Sequence, residues 1–287
     1  MIPKTQKQWI VRVPSIGNRD VLVEIQAVSL NSRHLLILKG LYPFPLKDGH
    51  VPLSDGAGVV AAVGSRVHRF RVGDRVATSF HQDHLAGPLD AKSRTSALGS
   101  SLDGVLREYG VFTEHGLGDT VLTEGTGGVS IFAMQFAKSA GAKVTATTST
   151  AQKAERPKEL GADYNSTPNE ERVSAVVEVG GPASLRQALT ALKFDGSISM
   201  VRSVGGFVDP GSNTEEPTFF DTVIHSCTVR GIAVGSRLRF EDTNRAIEVN
   251  DLHPILDRQT FKLEEAREAY QYIWDQKHFG KVILEIV

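Results

Sequence analysis

The feature that most restricts the fold of this chain is a glycine-rich turn near its middle. The turn, Gly125–Gly128, follows a short apolar run at Thr120–Thr123. After it, Val129–Ala140 repeats apolar residues at the spacing of one helix face, and Gly141 is suited to end that helix. Lys143–Thr147 then has the pattern of a second strand. A strand, a glycine turn, a helix and another strand predict a unit of a parallel sheet.

The rest of the chain divides into a β-rich first part and an alternating second part. Three apolar runs of strand character lie in the first 115 residues, at Val21–Val28, Gly58–Val63 and Arg75–Thr78. The second part continues with a strand, a helix and a strand, at Val176–Val179, Ala183–Leu192 and Ser197–Val201, and the tail adds a helix at Leu263–Trp274 and a strand at Lys281–Val287. The fold class is therefore α/β, with a doubly wound parallel sheet in the second part.

The glycine turn has the features of a site for the pyrophosphate of a dinucleotide. Glycines allow the backbone to approach an anion closely, and the N–H groups and dipole of the following helix attract negative charge. The residues we expect to contact the cofactor here are Gly125, Thr126, Gly127, Gly128 and Val129. Ser130 departs from the pattern, which usually has a third Gly or Ala at this point. The alternative is a turn with a purely structural role.

The end of the second strand favours NADPH over NADH. An NAD site places an acidic side chain about 20 residues after the turn, to bind the ribose hydroxyls. This chain instead has hydroxyl and amine groups, of which Thr148, Ser149 and Lys153 suit an anionic 2′-phosphate, and its first acidic residue is Glu155. The alternative is that Ser149 or Thr150 caps a helix and that Lys153 is solvated.

Composition excludes several other classes of function. Lysine and arginine number 32 against 33 aspartates and glutamates, so no overall field attracts nucleic acid or an anionic membrane. The one cysteine, Cys227, excludes a disulfide within the chain and any multi-cysteine metal site, and we expect it to be a small core residue. No segment has the ~20 consecutive apolar residues of a membrane helix, and no apolar run follows the first lysines. We therefore expect a cytoplasmic protein.

With these motifs in view, the chain resembles the zinc-independent medium-chain dehydrogenase/reductases, the quinone-oxidoreductase-like branch of the alcohol dehydrogenase superfamily. The matching segments, in order along the chain, are 28–33, 38–43, 54–60, 72–76, 125–130, 179–182, 229–231, 234–236 and 277–281. The resemblance implies a GroES-like β-barrel domain at residues 1–117, completed by 251–287, and a Rossmann domain at 118–250. It is also compatible with a homodimer.

The resemblance further implies NADP as the cofactor, with hydride transfer from its reduced form, NADPH, to a small carbonyl or quinone without a metal. Zinc-using relatives have a cysteine near Asn31 or Ser32 and a His-Glu pair near Ser54-Asp55, and neither is present. We expect Asn31 and Tyr42 to line the cleft as catalytic hydrogen-bond donors. A turn-capping asparagine and a packing tyrosine are equally open interpretations. Gly180, Gly280 and Lys281 are expected to contact the cofactor, although Lys281 also suits the solvated start of the last strand. His81-Gln82-Asp83-His84 is expected to be a polar loop and not a metal site.

The chain is shorter than members of this family at three internal places. Compared with the family, segments are shortened or missing after Trp9–Val13, between Leu117 and Asp119, and at Tyr164–Ser174. These losses leave other functions open: a catalytically impaired nucleotide-binding paralogue or a truncated gene product, and, with less support, an alcohol dehydrogenase.

Overall fold

The structure, a computed structural model, describes residues 14–114, 117–118, 128–146, 159–163, 172–201 and 217–286. The strands are β1 Asp20–Ser29, β2 Asp55–Val63, β3 Arg75–Thr78, β4 Tyr109–Thr113, β5 Leu117–Gly118, β6 Val173–Glu178, β7 Leu192–Met200, β8 Thr228–Gly231, β9 Phe261–Lys262 and β10 Ile283–Glu285. The helices are α1 Ser32–Leu38, α2 Ala91–Arg94, α3 Gly128–Ser139, α4 Pro182–Ala191, α5 Phe219–Ile224, α6 Arg237–Val249 and α7 Ala266–Trp274, the last preceded by the 3₁₀ turn Leu263–Glu265. Among the described residues, no helix is long and apolar enough to cross a membrane.

The chain forms two units, which are described separately. The first comprises Met1–Gly128 and Val234–Val287, and the second comprises Val129–Ala233. The first unit thus includes residues 234–250, which the sequence had placed in the Rossmann domain. Helix α6 is held in the first unit by backbone hydrogen bonds from Arg237 to His84 O (3.0 Å) and from Leu238 to Leu85 O (3.2 Å).

Strand β1 is the centre of the first unit. The sheet order is β5-β3-β2-β1-β10-β9, and β4 also pairs with β1. One edge of β1 pairs with β2 along its length, while the other edge pairs with β4 near its start and with β10 near its end. Val21, Val23 and Ile25 are fully buried, as their alternation predicts for a strand with an inward face. The GroES-like core is therefore organised around the strand that leads directly to Asn31.

The second unit contains three parallel strands in the order β6-β7-β8. Helix α4 connects β6 to β7, and α5 lies between β7 and β8, so this part of the chain has the predicted alternation of strand and helix. A small core forms from Ala188, Leu189, Leu192 and Ile198, and half-buried Cys227 packs against it. Burial raises the pKa of the Cys227 thiol, as expected for a cysteine with a packing role.

The sequence located most of the described elements, with differences at their ends. Arg75–Thr78 is confirmed as a strand with the predicted bounds, and the predicted helix at Val129–Ala140 is α3. Strand β7 begins five residues before Ser197, and the last strand is limited to Ile283–Glu285. The predicted strand at Thr120–Thr123 lies outside the described residues, as does the end of the one at Lys143–Thr147.

The long segment between β3 and β4 is ordered by its own hydrogen bonds. His81 and Ala97 form an isolated β-bridge, and Gln82 N donates to Ser96 O (3.0 Å). The polar residues predicted for this loop turn inward, since the side chains of His81, Gln82 and His84 are all buried. Burial, followed by the neighbouring His84, lowers the pKa of His81 from 6.5 to about 4.

This buried imidazole predicts a loss of stability in acid. The unfolded chain binds a proton at position 81 more readily than the folded protein, so the free energy of unfolding should fall as the pH decreases from about 6.5 to about 4. His81→Gln should make this pH dependence shallower, as measured by urea denaturation at several pH values in that window. His253→Gln, at an exposed histidine, is the matched control and should leave the dependence unchanged. Equal effects of the two substitutions would contradict the prediction.

Candidate functional site

The order of the strands brings three distant parts of the chain to one place. Ser29, the last residue of β1, pairs with Asp55 of β2 on one side and with Ile283 of β10 on the other. Asn31 lies two residues beyond Ser29, and Lys281 lies two residues before Ile283. The site therefore forms where β1 ends, between the start of β2 and the segment that enters β10.

Asn31 joins a carboxylate to an ammonium group. Its Nδ2 donates a hydrogen bond to Asp55 Oδ2, and its Oδ1 accepts one from Lys281 Nζ at 2.9 Å. All three residues are buried, with exposed fractions of 8% for Asn31, 9% for Asp55 and 4% for Lys281. Burying an isolated ion is costly, so the opposite charges at the two ends compensate each other across the amide.

Two further side chains hold the second oxygen of Asp55. Ser54 Oγ donates to Asp55 Oδ1 at 2.9 Å, and His34 Nε2 lies 3.4 Å from Ser54 Oγ. His34 Nδ1 accepts the backbone N–H of Asn31 at 3.0 Å, which places the imidazole proton on Nε2, facing Ser54. Thr78 braces the strand below, because its hydroxyl donates to Ser54 O (2.7 Å) and accepts from Gly56 N (3.0 Å).

Backbone hydrogen bonds from both the N–H and the carbonyl group of Lys281 fix the position of this residue. Its N–H donates to Ile255 O at 3.0 Å, and its carbonyl accepts from Asp257 N at 2.8 Å. Gly280 has φ +87°, and a Cβ at this position would collide with Ile255 O, so glycine is required there. The side chain of Lys281 passes close to Gly128, where an added Cβ would lie 3.0 Å from its Cε.

Tyr42 belongs to a neighbouring aromatic cluster. Arg33 Nε donates to its hydroxyl at 3.1 Å, and Arg33 Nη1 donates to Leu98 O at 3.2 Å. The guanidinium lies over the rings of both Tyr42 (4.9 Å) and Phe80 (4.7 Å). Because the tyrosine oxygen accepts from Arg33, its own hydrogen remains to donate elsewhere. Tyr42 is therefore hydrogen-bonded to Arg33 and packs against the ring of Phe44, outside the hydrogen-bond network at Asn31.

The structure brings together some of the predicted site residues and leaves others untested. Asn31, Gly128, Gly280 and Lys281 lie close together in the first unit. The predicted residues that lie outside the described part of the chain are Gly125, Thr126, Gly127, Thr148, Ser149 and Lys153. Val129 is described, within the first turn of α3.

Gly180, in the second unit, has a local structural partner. Its N–H donates to Glu178 Oε1 at 2.6 Å, and the same oxygen accepts from Gly181 N (3.1 Å) and Ser184 Oγ (2.7 Å). The Glu178 carboxylate thus lies at the start of helix α4, where it satisfies N–H groups that the helix leaves unpaired.

Sequence reasoning missed the central role of Asp55, together with Ser54 and His34. In the sequence, Ser54 and Asp55 belong to a segment that resembles the family and mark a place where zinc ligands are absent, but neither observation assigns them a role. The available signal was the presence of a carboxylate in that segment. His34 had no such signal, because its contacts depend on the geometry of the first turn of α1.

Comparisons with known proteins agree with this architecture. The family described as "Alcohol dehydrogenase GroES-like domain" matches residues 17–121, and the one described as "Zinc-binding dehydrogenase" matches residues 128–249. A zinc-type alcohol dehydrogenase-like protein of Schizosaccharomyces pombe is 38% identical over 319 residues, covering 93% of this chain and 91% of that protein. This alignment is longer than the 287-residue chain, so it contains gaps on this chain's side.

Two other relatives cover different extents of the chain. A quinone oxidoreductase of Pseudomonas aeruginosa is 35% identical over 167 residues, covering 51% of this chain and 49% of that protein. A crystal structure described as an alcohol dehydrogenase from Sinorhizobium meliloti superposes with a TM-score of 0.82 at 31% identity, covering 96% of this chain and 93% of that one.

The donors around Asn31 do not fit a zinc ion. Zinc sites in proteins are built from thiolate, imidazole and carboxylate ligands, whereas this network offers an amide, a hydroxyl, one carboxylate and the imidazole of His34, whose Nδ1 already accepts the backbone N–H of Asn31. The Lys281 ammonium, 2.9 Å from the amide oxygen, would repel a second cation. Within the described residues, no group of three or more His, Cys, Asp or Glu side chains could hold a metal ion.

The bracing role of Thr78 yields a prediction about stability. Thr78→Val removes the hydroxyl and leaves Gly56 N–H and Ser54 C=O buried without this partner, which should cost about 1–3 kcal/mol in the free energy of unfolding. Urea denaturation measures the change. Thr78→Ser keeps the hydroxyl and should cost clearly less. A loss in Thr78→Val that is no larger than the loss in Thr78→Ser would contradict the bracing role of the hydroxyl.

Proposed function

The chain belongs to the medium-chain dehydrogenase/reductase family of alcohol dehydrogenase-like oxidoreductases, and from this premise we propose that it reduces a quinone, enone or similar carbonyl with NADPH, without zinc. The observation that carries the proposal is the Lys281–Asn31–Asp55 network. A fixed ammonium and an amide lie where zinc-using relatives are expected to have metal ligands. With these donors, protein side chains and not a metal ion must orient and polarise the substrate.

The residues present in the first unit fit a dinucleotide. Gly128 lies beside the side chain of Lys281, where an added Cβ would be 3.0 Å from the lysine Cε. A glycine, which lets an anion approach the backbone closely, and a nearby ammonium suit a pyrophosphate. When bound, NADPH supplies the hydride. The residues that would hold it are Gly125, Thr126, Gly127, Gly128, Val129, Thr148, Ser149, Lys153, Gly180, Gly280 and Lys281.

The side chains of the site have separable tasks in this proposal. Asn31 Nδ2 carries two hydrogens, so it can hydrogen bond to an acceptor oxygen while it also donates to Asp55. The Tyr42 oxygen accepts a hydrogen bond from Arg33, so the hydroxyl hydrogen of Tyr42 can be donated to an acceptor oxygen of the substrate. The Lys281 ammonium adds positive potential, which favours the negative charge that develops on the reduced substrate.

Alcohol oxidation is the second candidate, favoured by the name of the Schizosaccharomyces pombe relative. Metal-dependent alcohol oxidation requires a Lewis acid to lower the pKa of the hydroxyl, and the donors around Asn31 are not suited to hold one. A nucleotide-binding role without catalysis is the third, favoured by the gaps that the alignment introduces in this chain. We place both behind the reductase, because the buried network retains charged and polar groups that a purely structural barrel would not require.

Turnover with and without metal tests the proposal. We expect the chelator-treated protein to contain well under one equivalent of zinc by elemental analysis and to oxidise NADPH in the presence of a panel of quinones and enones. The internally shortened chain should turn over more slowly than full-length relatives assayed in parallel. A full equivalent of bound zinc, with activity that disappears on chelation and returns with the metal, would overturn the metal-free mechanism.

The preference for NADPH is tested at Lys153. One charge-assisted contact to the 2′-phosphate is worth about 1–2 kcal/mol. Lys153→Ala should therefore raise the Kd of NADPH roughly tenfold and leave that of NADH nearly unchanged, as measured by fluorescence titration. Lys143→Ala, at a lysine outside the proposed site, serves as the control. Equal losses for both cofactors in Lys153→Ala would show that this lysine does not recognise the 2′-phosphate.

A further inference from the structure

We propose that Asp55 is a positioning residue, which fixes the amide of Asn31 and, through it, the ammonium of Lys281, so that the three side chains act as one unit. The inference rests on the proposed function for its kinetic consequence, whereas its effect on cofactor binding is measured independently of turnover. The side chain of Asp55 contacts those of Asn31 and Ser54. Its influence passes through the amide of Asn31.

The chemistry of the three groups allows one orientation of the central amide. An ammonium group only donates hydrogen bonds, and an ionised carboxylate only accepts them. The amide between them must therefore direct its oxygen toward Lys281 and its nitrogen toward Asp55, as it does here. If the carboxylate is removed, the ammonium still attracts the amide oxygen, but the amide nitrogen loses the partner that anchors it, and this hydrogen-bond chain holds the side chain of Asn31 at one end only.

Asp55 can impose this orientation because it is fixed on its other side. Its Oδ1 accepts from Ser54 Oγ at 2.9 Å, and its backbone is paired with Ser29 at the start of β2. His34 is tied to both ends of the arrangement, through Asn31 N at 3.0 Å and Ser54 Oγ at 3.4 Å. The hydrogen bonds thus close a ring from Asn31 through Asp55, Ser54 and His34 back to Asn31. A closed ring of this kind restrains the rotamer of each of its members.

Charge gives a second reason for coupling between Asp55 and Lys281. The two ions are 9% and 4% exposed, so solvent screens their interaction weakly. Removing the carboxylate takes away the opposite charge that is joined to the ammonium through Asn31, which makes the burial of Lys281 less favourable. The position of Lys281, which the proposed function uses for the cofactor, therefore depends on Asp55.

The hydrogen-bond pattern also predicts which substitutions restore the unit. Asp55→Asn removes the negative charge and places a second amide side chain next to the amide of Asn31. Combining it with Asn31→Asp moves the carboxylate to position 31, where it accepts directly from Lys281 and from the new amide at position 55. The swapped pair keeps the net charge and the number of atoms, and the hydrogen bond between positions 31 and 55 forms again with its direction reversed. A purely structural requirement for aspartate at position 55 predicts no such rescue.

The experiment is a double-mutant cycle with a swap and a remote control. Wild type, Asp55→Asn, Asn31→Ala, the double variant Asn31→Ala/Asp55→Asn and the swap Asn31→Asp/Asp55→Asn are compared by the Kd of NADPH and by kcat on the best quinone. Asp103→Asn is the control, since Asp103 is also paired with a lysine, Lys47 at 2.7 Å, but belongs to neither the ring nor the proposed site. Thermal unfolding of each variant verifies that it is folded.

We expect Asp55→Asn to raise the Kd of NADPH about five- to tenfold and to lower kcat about tenfold. In the Asn31→Ala background, Asp55→Asn should add less than about twofold to either quantity, because Asp55 acts through that amide. The swap should recover most of the lost affinity, and Asp103→Asn should remain within about twofold of wild type.

Three outcomes would overturn the inference: multiplicative losses in the double variant, a swap no better than Asp55→Asn alone, or an effect of Asp55→Asn no larger than that of the control. If the wild type binds NADPH but reduces no acceptor, the proposed function fails, and the Kd measurements alone still decide the role of Asp55. A chain that binds neither nicotinamide cofactor would overturn both.

Discussion

The pairing of β1 with three other strands is the constraint on which the first unit depends. Its partners β2, β4 and β10 come from widely separated parts of the sequence, and β10 lies near the end of the chain. Since β1 is buried, its backbone groups must be paired within the protein, and β10 supplies partners that β4 does not reach. This requirement holds the C-terminal segment beside the end of β1. The site at Asn31 follows from the same pairing.

At that site, electrostatics determines which side chains can coexist. A lysine and an aspartate are buried together because an asparagine presents an acceptor to one and a donor to the other. The serine and histidine of the ring add hydrogen bonds without adding another permanent charge. The positive charge of the site is that of the Lys281 ammonium group.

The family relationship extends over both units, since the two matching families cover residues 17–121 and 128–249. In the first unit, β1 lies within the sheet and pairs with β2, β4 and β10. The described part of the second unit keeps three parallel strands, with Glu178 at the start of α4, where it binds backbone N–H groups. The alignment with the fungal relative nevertheless requires gaps in this chain. The chain has the polar network but a shortened sequence, so cofactor binding and turnover need to be measured separately in this protein.

The sequence alone determined the fold class and located four strands of the first unit, β1, β2, β3 and β10, whereas β4, β5 and β9 have no predicted counterpart. Alternating apolar residues located Val21–Val28 and Arg75–Thr78, because side chains on opposite faces of a strand meet different environments. Resemblance to a family indicated Asn31 and Lys281. Only the tertiary structure revealed that these residues touch across 250 positions, that Asp55 and His34 complete the ring, and that α6 packs with the first unit. Local patterns report burial and backbone geometry, whereas a hydrogen bond between distant residues depends on strand order and register, which no short segment of sequence encodes.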